Sequence, residues 1–371
     1  MTAQSDFFPP KIAPQKIAVV LFNLGGPLTP ADVRPFLFNL FRDPAILRMP
    51  TVPRWLLAQL ISRLRAAKAR GIYALLGGGS PLLANTRAQA AALQTALENS
   101  GQAGQTLWQI SIAMRYWQPT TQQAVQEVQA FAPDQIVLLP LYPQFSTTTT
   151  ASSRTAWQQE AAKQALRIPT TTLCCYPTAA GLVNAYAELA VAELRKVPAE
   201  HGTPRLLYSA HGLPEKIVQA GDPYAAQVAL TAAAITDRIR ALQPELLFEP
   251  RLCFQSRVGP VKWLEPSTEQ EIAKAGQDQA PLVVLPIAFV SDHSETLVEL
   301  DVEYAHLAAE AGVPFYARVP VVGTHPAFIQ ALAEQVGIAL QAQRASDPTA
   351  ENLDRVVGPK LCPKGSACAC V

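Results

Sequence analysis

Three glutamates follow one another at intervals of four residues in the second half of the chain, with a histidine just upstream. They are Glu295, Glu299 and Glu303, and the histidine is His293. Residues four apart share one face of an α-helix, so the spacing predicts a stripe of carboxylates. Such a stripe could bind a hard divalent cation or pass protons along a path. A solvated acidic face is the alternative, but the stripe directly follows an apolar run that ends at Phe289, which favours a functional role.

A second histidine, His211, ends another apolar run and is followed by a glycine. The imidazole of histidine takes up a proton near neutral pH and can also bind ferrous iron. Ligands of open α/β sheets bind beyond the carboxyl ends of the strands, so this position suits a functional side chain. A histidine that only makes a hydrogen bond is the commoner case, and the motif alone does not decide between the two.

The composition restricts the partners and the compartment that we expect. The 371-residue chain has a formal net charge of +1 and no long basic run, so we expect no nucleic-acid partner. The first residues contain no apolar stretch of the length that a secretory signal needs. No window reaches the roughly 18–20 uninterrupted apolar residues of a membrane-spanning helix. We therefore expect a cytoplasmic protein, with at most peripheral membrane association.

Apolar runs of strand length alternate with helical patterns along both halves of the chain. The first half predicts strands at 17–24, 107–114, 136–141 and 171–175 and helices at 29–41, 120–131, 155–165 and 182–195. The second half predicts strands at 206–210, 252–255, 282–286 and 315–319 and helices at 223–242, 295–311 and 326–343. Continuously apolar strands that alternate with helices are typical of parallel sheets covered on both faces. We therefore predict an α/β fold with two such sheets.

This alternation predicts two domains and a tail. The first domain spans residues 15–165 and the second spans 166–344. The tail at 345–371 is rich in glycine, proline, serine and cysteine, and we predict that it is irregular. Within the first domain, the segment 49–64 contains Trp55, Leu56, Leu57, Leu60, Ile61 and Leu64. We expect this segment to form an apolar lip at the mouth of a cleft and to contact membranes reversibly, with a buried core helix as the alternative.

An ordered set of short motifs resembles the ferrochelatase family from about residue 17 to residue 340. The glutamate segment 291–303 matches, and so does Ser209-Ala210-His211-Gly212-Leu213-Pro214. The remaining blocks are Asn23-Leu24-Gly25-Gly26-Pro27, Gly77-Gly78-Gly79-Ser80-Pro81, Met114-Arg115-Tyr116, Leu139-Pro140-Leu141-Tyr142-Pro143-Gln144-Phe145-Ser146 and Gln255-Ser256-Arg257-Val258-Gly259-Pro260 with Trp263. Each motif is ordinary by itself, whereas the whole set, in its order along the chain, is specific to the family.

The resemblance implies two Rossmann-like domains, each a parallel sheet flanked by helices, with a porphyrin cleft between them. It implies a lyase that inserts Fe²⁺ into protoporphyrin IX to form protohaem. The family's catalytic pair falls on His211 and Glu295, and these two with Glu299 and Glu303 would bind the iron substrate. The porphyrin-binding positions fall on Leu24, Arg115, Tyr116, Trp263 and Phe289. A coproporphyrin ferrochelatase, a cobalt chelatase of the same fold and a non-catalytic tetrapyrrole carrier remain as alternatives.

The cysteines indicate a further metal site. Cys362, Cys368 and Cys370 lie within nine residues of the tail, and Cys174 and Cys175 are adjacent in the body of the chain. In a cytoplasmic protein, cysteines are more often thiols or metal ligands than disulfides. Some ferrochelatases carry a [2Fe–2S] cluster, which needs four thiolates, so the resemblance implies that the tail cysteines and Cys174 or Cys175 bind one. The spacing differs from that of the animal enzymes, and zinc binding or unrelated surface cysteines remain alternatives.

Overall fold

The structure is a computed structural model of the chain, and it describes residues 14–100, 106–257, 259–344, 354–362 and 365–368. Within these residues, nine strands form two sheets in which every neighbouring pair is parallel. Helices pack on the faces of both sheets. The predicted α/β class with two parallel sheets is confirmed. Cys370, one of the predicted cluster ligands, lies outside the described residues.

The first sheet takes its strands from the first half of the chain and from the tail. They are β1 Gln15–Asn23, β2 Thr106–Met114, β3 Gln135–Pro140, β4 Thr170–Leu173 and β9 Asp354–Val357, in the order β2-β1-β3-β4-β9. Its helices are α1 Val33–Arg42, α2 Thr51–Ala74, α3 Leu82–Asn99, α4 Thr121–Phe131, α5 Thr150–Lys163 and α6 Ala180–Leu194, with a 3₁₀ turn at Pro30–Asp32. Along β1, Val19 and Leu21 pack in the core with α3 and α6, whereas Val20 packs in the core with α4 and α5. Burial on both faces explains why this strand is apolar without interruption from Ile17 to Phe22.

The second sheet has the order β6-β5-β7-β8. Its strands are β5 Arg205–His211, β6 Glu249–Gln255, β7 Leu282–Pro286 and β8 Tyr316–Arg318. Its helices are α7 Glu215–Gln219, α8 Tyr224–Leu242, α9 Thr268–Gln277, α10 Ser294–Leu297, α11 Ala305–Glu310 and α12 Pro326–Arg344. A 3₁₀ turn at Ala199–His201 and a π-helical turn at Glu299–Tyr304 complete this half.

The pairing of β4 differs from the predicted division between residues 165 and 166. That division assigns β4 to the second domain, but β4 pairs with β3 on one side and with β9 on the other, both in the first sheet. The tail, which we predict to be irregular at 345–371, thus contributes an edge strand. Strand-length apolar runs show how many strands a chain contains, but they do not show which sheet each strand joins.

One apolar cluster joins the two sheets. It includes Leu21 of β1, Tyr186 of α6, Ile235 of α8, Leu285 of β7 and Phe328 of α12, all at most 1 % exposed. Each Å² of apolar surface removed from water stabilises a fold by about 25 cal/mol. The apolar surface buried in this shared cluster is therefore the main contribution that holds the two sheets together. The two domains are therefore held in one arrangement by a continuous core.

The segment that carries the three glutamates is not the single regular helix that the sequence predicts. A π-helical turn at Glu299–Tyr304 separates α10 from α11. The amide of Glu303 donates to the carbonyl of Val298, five residues earlier, at 2.9 Å. Because a π-turn contains more residues than an α-helical turn, it changes the angle at which the following side chains project. Glu295, Glu299 and Glu303 consequently do not form one straight stripe.

Candidate active site

A cavity of about 130 Å³ lies where the central strands of both sheets end. Asn23 ends β1 and His211 ends β5, while Leu141 and Ala288 come just after β3 and β7; all four line the cavity. The carboxyl edge of parallel strands is where ligands of α/β proteins bind. The cavity therefore occupies the place between the two sheets that the sequence predicts for a site.

His211 and Glu295 form a hydrogen-bonded pair in the wall of this cavity. Nδ1 of His211 lies 2.9 Å from Oε2 of Glu295, and Nε2 of His293 lies 3.6 Å from the same oxygen. The side chain of His211 is 40 % exposed and that of Glu295 is 29 % exposed. β5 brings His211 to the sheet edge, and α10, which begins directly after His293, brings Glu295 to meet it. One carboxylate thus faces two imidazoles at the cavity.

The pair favours the ionised forms of both residues. Burial alone lowers the pKa of His211, but the charge of Glu295 and its hydrogen bond outweigh burial and raise that pKa. Burial alone raises the pKa of Glu295, but the charge and hydrogen bond of His211, helped by His293, hold that pKa well below its usual value. A proton that arrives on His211 is therefore stabilised by a carboxylate that stays ionised.

Phe289 forms an apolar part of the wall between the two histidines. Its ring centroid lies 6.4 Å from that of His211, edge-on, and 4.6 Å from that of His293. The hydroxyl of Tyr186 donates to the carbonyl of Phe289 at 2.8 Å and so holds the loop after β7. Leu24, another predicted porphyrin contact, also lines the cavity. The structure therefore brings Leu24 and Phe289 to the same space as the ionisable pair.

Glu299 lies next to Glu295 and is held by four hydrogen bonds. The Ser256 amide donates to Oε1 at 2.8 Å, and the Tyr304 hydroxyl donates to the same atom at 2.9 Å. The Ser256 hydroxyl and the Gln255 side-chain amide donate to Oε2. Burial and the charge of Glu295 raise the pKa of Glu299, and the donors only partly offset that effect. Glu299 is therefore a carboxyl that can hold a proton close to the pair.

Glu303 lies apart from this group. Its side chain is exposed, although it lies in the same π-turn as Glu299. The structure thus brings together three of the four predicted iron ligands, His211, Glu295 and Glu299, and leaves the fourth on the surface.

Arg115 and Tyr116, two further predicted porphyrin contacts, join a network with Asp43. Nη2 of Arg115 lies 2.7 Å from Oδ2 of Asp43, and the Tyr116 hydroxyl donates to the same oxygen at 2.8 Å. Tyr116 is 2 % exposed, whereas the side chain of Arg115 is 22 % exposed. Trp263 packs beside Gly212, since a Cβ on that glycine would lie 3.2 Å from its ring. Arg115, Tyr116 and Trp263 are not among the described residues that line the cavity. The Asp43 carboxylate gives the buried hydroxyl of Tyr116 the hydrogen-bond partner that it needs.

Tyr224 and Gln255 complete the site, although no motif assigns a role to either of them. The hydroxyl of Tyr224, at the start of α8, donates to the carbonyl of His211 at 3.1 Å, and Tyr224 lines the cavity. The side-chain amide of Gln255, at the end of β6, donates to the backbone carbonyl of Glu295 at 2.9 Å. Gln255 lies in one of the motifs that resemble the family, so the sequence could have indicated that it belongs to the site. Tyr224 stands in a segment without a motif, and the sequence gives no signal for it.

The tail places its cysteines beside those that follow β4. The sulfurs of Cys174, Cys175 and Cys368 all lie within 4.8 Å of one another, and the three residues are buried. Cys362 packs against the same group. Since β9 pairs with β4, whose last residue directly precedes Cys174, the added strand brings the two regions of the sequence together. We call these four residues the cysteine group.

α2 presents a row of exposed apolar side chains. Val52, Leu56, Leu60 and Leu64 are 71 %, 58 %, 53 % and 72 % exposed, and their spacing of four residues places them on one face. Trp55 beside this row is 45 % exposed. The segment 49–64 buries Ala58 and Ser62 but exposes this apolar row, whereas a core helix would bury the row as well. Among the described residues, no helix has both the length and the apolar character to cross a bilayer.

Comparisons with known proteins show which family the chain belongs to. The sequence profile of the family described as Ferrochelatase matches residues 16–339. A protein named Ferrochelatase from Caulobacter vibrioides is 53 % identical over 325 residues, which cover 87 % of this chain and 90 % of the relative. Another from Phenylobacterium zucineum is 50 % identical over 361 residues, 96 % of this chain and 98 % of the relative.

A solved structure agrees with the fold. The structure of SirB from Bacillus subtilis with Fe³⁺ has a TM-score of 0.51 at 12 % identity, and the match covers 90 % of this chain and 99 % of that chain. At this identity the likeness concerns the fold alone. The profile matches residues 16–339, a range that contains the positions of His211 and Glu295, and the two relatives cover most of the chain. The chain belongs to the ferrochelatase family.

Proposed function

We propose that the protein inserts Fe²⁺ into protoporphyrin IX and forms protohaem. The observation that carries this proposal is the His211–Glu295 pair, 2.9 Å apart in the wall of a cavity between two sheets. Family membership supports the same reaction. A coproporphyrin ferrochelatase or a cobalt chelatase would use the same pair, but no particular contact in the cavity favours either substrate.

Metal insertion requires that two pyrrole N–H protons leave the macrocycle. Nδ1 of His211 is engaged by Glu295, so we propose that Nε2 accepts a proton from a pyrrole nitrogen. The ionised Glu295 then stabilises the imidazolium that forms. Glu295 and the neighbouring carboxyl of Glu299 would deliver the metal or carry the protons away, and oxygen ligands of this kind accept divalent cations.

The cavity wall would also bend the substrate. A flat porphyrin holds its nitrogen lone pairs in the ring plane, and bending exposes them, with strain supplied by binding energy. We propose that Leu24 and Phe289 contact the macrocycle directly and that Arg115, Tyr116 and Trp263 support the walls from behind. Ligand pockets usually have about 300–1,000 Å³. The 130 Å³ cavity is smaller, so the macrocycle would extend from it into the open cleft.

An anaerobic metallation assay tests this function. A carrier would bind porphyrin and metal once per chain, whereas an enzyme would metallate many equivalents. Turnover beyond one equivalent supports the proposal, and strictly stoichiometric binding would leave only a carrier.

We further propose that the protein is cytoplasmic and contacts membranes through α2. Burying three of its exposed apolar side chains would contribute on the order of 5–9 kcal/mol. This is enough for reversible contact but not for permanent insertion. The lip also suits a largely apolar substrate such as protoporphyrin.

We expect the wild-type protein to co-sediment with anionic liposomes. The double substitution Trp55→Ser with Leu60→Ser should weaken binding at least about tenfold, which corresponds to about 1.4 kcal/mol. Ile338→Ser is the matched control, because Ile338 is 47 % exposed but lies on α12. A wild-type protein that stays in the supernatant, or a control that loses binding equally, would refute the proposed membrane contact through α2.

We propose that the cysteine group holds a [2Fe–2S] cluster, together with Cys370. The donor set fits, because a [2Fe–2S] centre takes four cysteine sulfurs and the described sulfurs converge in a buried place. Cys362 and Cys368 would supply ligands from the tail, and one ligand from the body would come from Cys175, a free thiol, or from Cys174 after reduction of its disulfide. When bound, the cluster would supply one-electron chemistry and tie the tail to the body. Zinc bound by the same sulfurs is the alternative.

Protein purified without oxygen should then be reddish-brown and contain about two irons and two acid-labile sulfides per chain. Cys368→Ser should lose this colour and most of the iron. Cys253→Ser is the control, because Cys253 is buried in β6 outside the cysteine group. Colourless wild-type protein without acid-labile sulfide, but with full activity, would contradict the cluster.

A further inference from the structure

Gln227 is a buried side-chain amide on α8 that touches the cysteine group. It is 0 % exposed. Its Nε2 lies 3.0 Å from Sγ of Cys362 and 3.4 Å from Sγ of Cys175. Its Oε1 accepts the backbone N–H of Phe145 at 2.7 Å. Every polar atom of this side chain therefore has a partner, as a fully buried amide requires.

The contact with Phe145 determines which end of the amide faces the sulfurs. A backbone N–H can only donate, so the atom that meets it must be the amide oxygen. The orientation of a glutamine amide is assigned from its partners, and here the partner leaves one choice. The NH₂ group of Gln227 consequently points at the sulfurs, with two N–H donors for two contacts.

The same amide is joined to the wall of the cavity. Tyr224, one helical turn earlier on α8, lines the cavity and donates to the carbonyl of His211. Phe145, which donates to Gln227, directly follows Gln144, another residue of the cavity wall. Gln227 thus holds the cysteine group at a fixed place relative to the site.

We propose that Gln227 donates N–H···S hydrogen bonds to the sulfur ligands of the cluster and raises its reduction potential. The inference rests on the cluster proposed above. Reduction adds one electron, which converts two ferric irons into one ferric and one ferrous iron and increases the negative charge on the sulfurs. Hydrogen bonds to the sulfurs stabilise that added charge, and they are one of the factors that set cluster potentials.

An anaerobic redox titration of the full-length holoprotein, with dithionite as reductant and the reduced cluster followed by electron paramagnetic resonance, tests this role. At the wild-type midpoint, Gln227→Leu should lower the ratio of reduced to oxidised cluster about tenfold, which is about 59 mV for one electron. Gln227→Glu keeps an acceptor for Phe145 but has no N–H, so it should shift in the same direction. Gln330→Leu, on the exposed face of α12, should leave the potential unchanged.

Iron and sulfide contents are measured first, so that two failures can be told apart. A wild-type protein without acid-labile sulfide would overturn the cluster and this inference together. Intact clusters with an unchanged potential in both Gln227 variants would overturn this inference alone. If neither variant assembles a cluster, the test uses wild-type protein labelled with ¹⁵N in its glutamine side chains. We expect the reduced cluster to show a hyperfine coupling to one of these nitrogens. The absence of this coupling would overturn the inference.

Discussion

His211→Ala is expected to lower the rate of iron insertion on the order of 10³-fold, within the range of about 10²–10⁴ that a positioned general base contributes. The reason is geometric. His211 ends β5 at the cavity, Glu295 engages its Nδ1, and alanine leaves no proton acceptor at that point. The rate is measured under anaerobic conditions from the change in porphyrin absorbance.

A matched substitution separates this effect from damage to the fold. His306→Ala removes a histidine whose side chain is 77 % exposed and pairs with Glu310 on the surface. It should retain the wild-type rate, and both variants should show the wild-type circular dichroism spectrum. Insertion by folded His211→Ala protein at a rate near that of the wild type would refute the assigned role.

Glu295→Gln is expected to reduce insertion on the order of 10²-fold, whereas Glu303→Gln should stay close to the wild-type rate. Glu295 stabilises the proton on His211 through a direct hydrogen bond, and an uncharged amide cannot replace its charge. Glu303 is exposed within the π-turn and is not among the residues that line the cavity. Steady-state rates of the two variants at saturating porphyrin give the comparison. Equal losses, or a larger loss for Glu303→Gln, would contradict the ranking.

The pH dependence of the Glu295→Gln variant provides a second readout. His211 accepts a proton only as a neutral imidazole, so the insertion rate should rise as the pH increases through the pKa of His211. Glu295 holds that pKa above the usual value of about 6.5. Without its charge, burial lowers the pKa, and the rise should move to lower pH. A midpoint that does not move would show that Glu295 does not act on the proton of His211.

Some strands of the first sheet could be predicted because burial on both faces favours an unbroken apolar run. β1 is the clearest case, since its residues from Ile17 to Phe22 are at most 1 % exposed. His211 could be found for a related reason, because a polar residue at the end of such a strand stands out. The membership of β4 could not be predicted, since pairing depends on the distant strand β9.

The directions in which the side chains of the site project could not be predicted from the sequence. The spacing of Glu295, Glu299 and Glu303 assumes a regular helix, and the π-turn breaks that assumption through backbone hydrogen bonds that no side-chain pattern records. Tyr116 stands beside Arg115 in a family-like block, yet its ring turns inward to Asp43. The meeting of Cys174 with Cys368 also depends on how the tail pairs.

A turnover measurement shows whether this protein catalyses metal insertion at the His211–Glu295 pair. Purified protein is mixed without oxygen with a large excess of protoporphyrin IX and Fe²⁺, and product is counted per chain. We predict that wild-type protein forms many equivalents of haem and that the folded His211→Ala variant forms haem on the order of 10³-fold more slowly. Haem formation that stops at one equivalent in the wild type, or that continues unchanged in His211→Ala, would contradict catalysis at this pair.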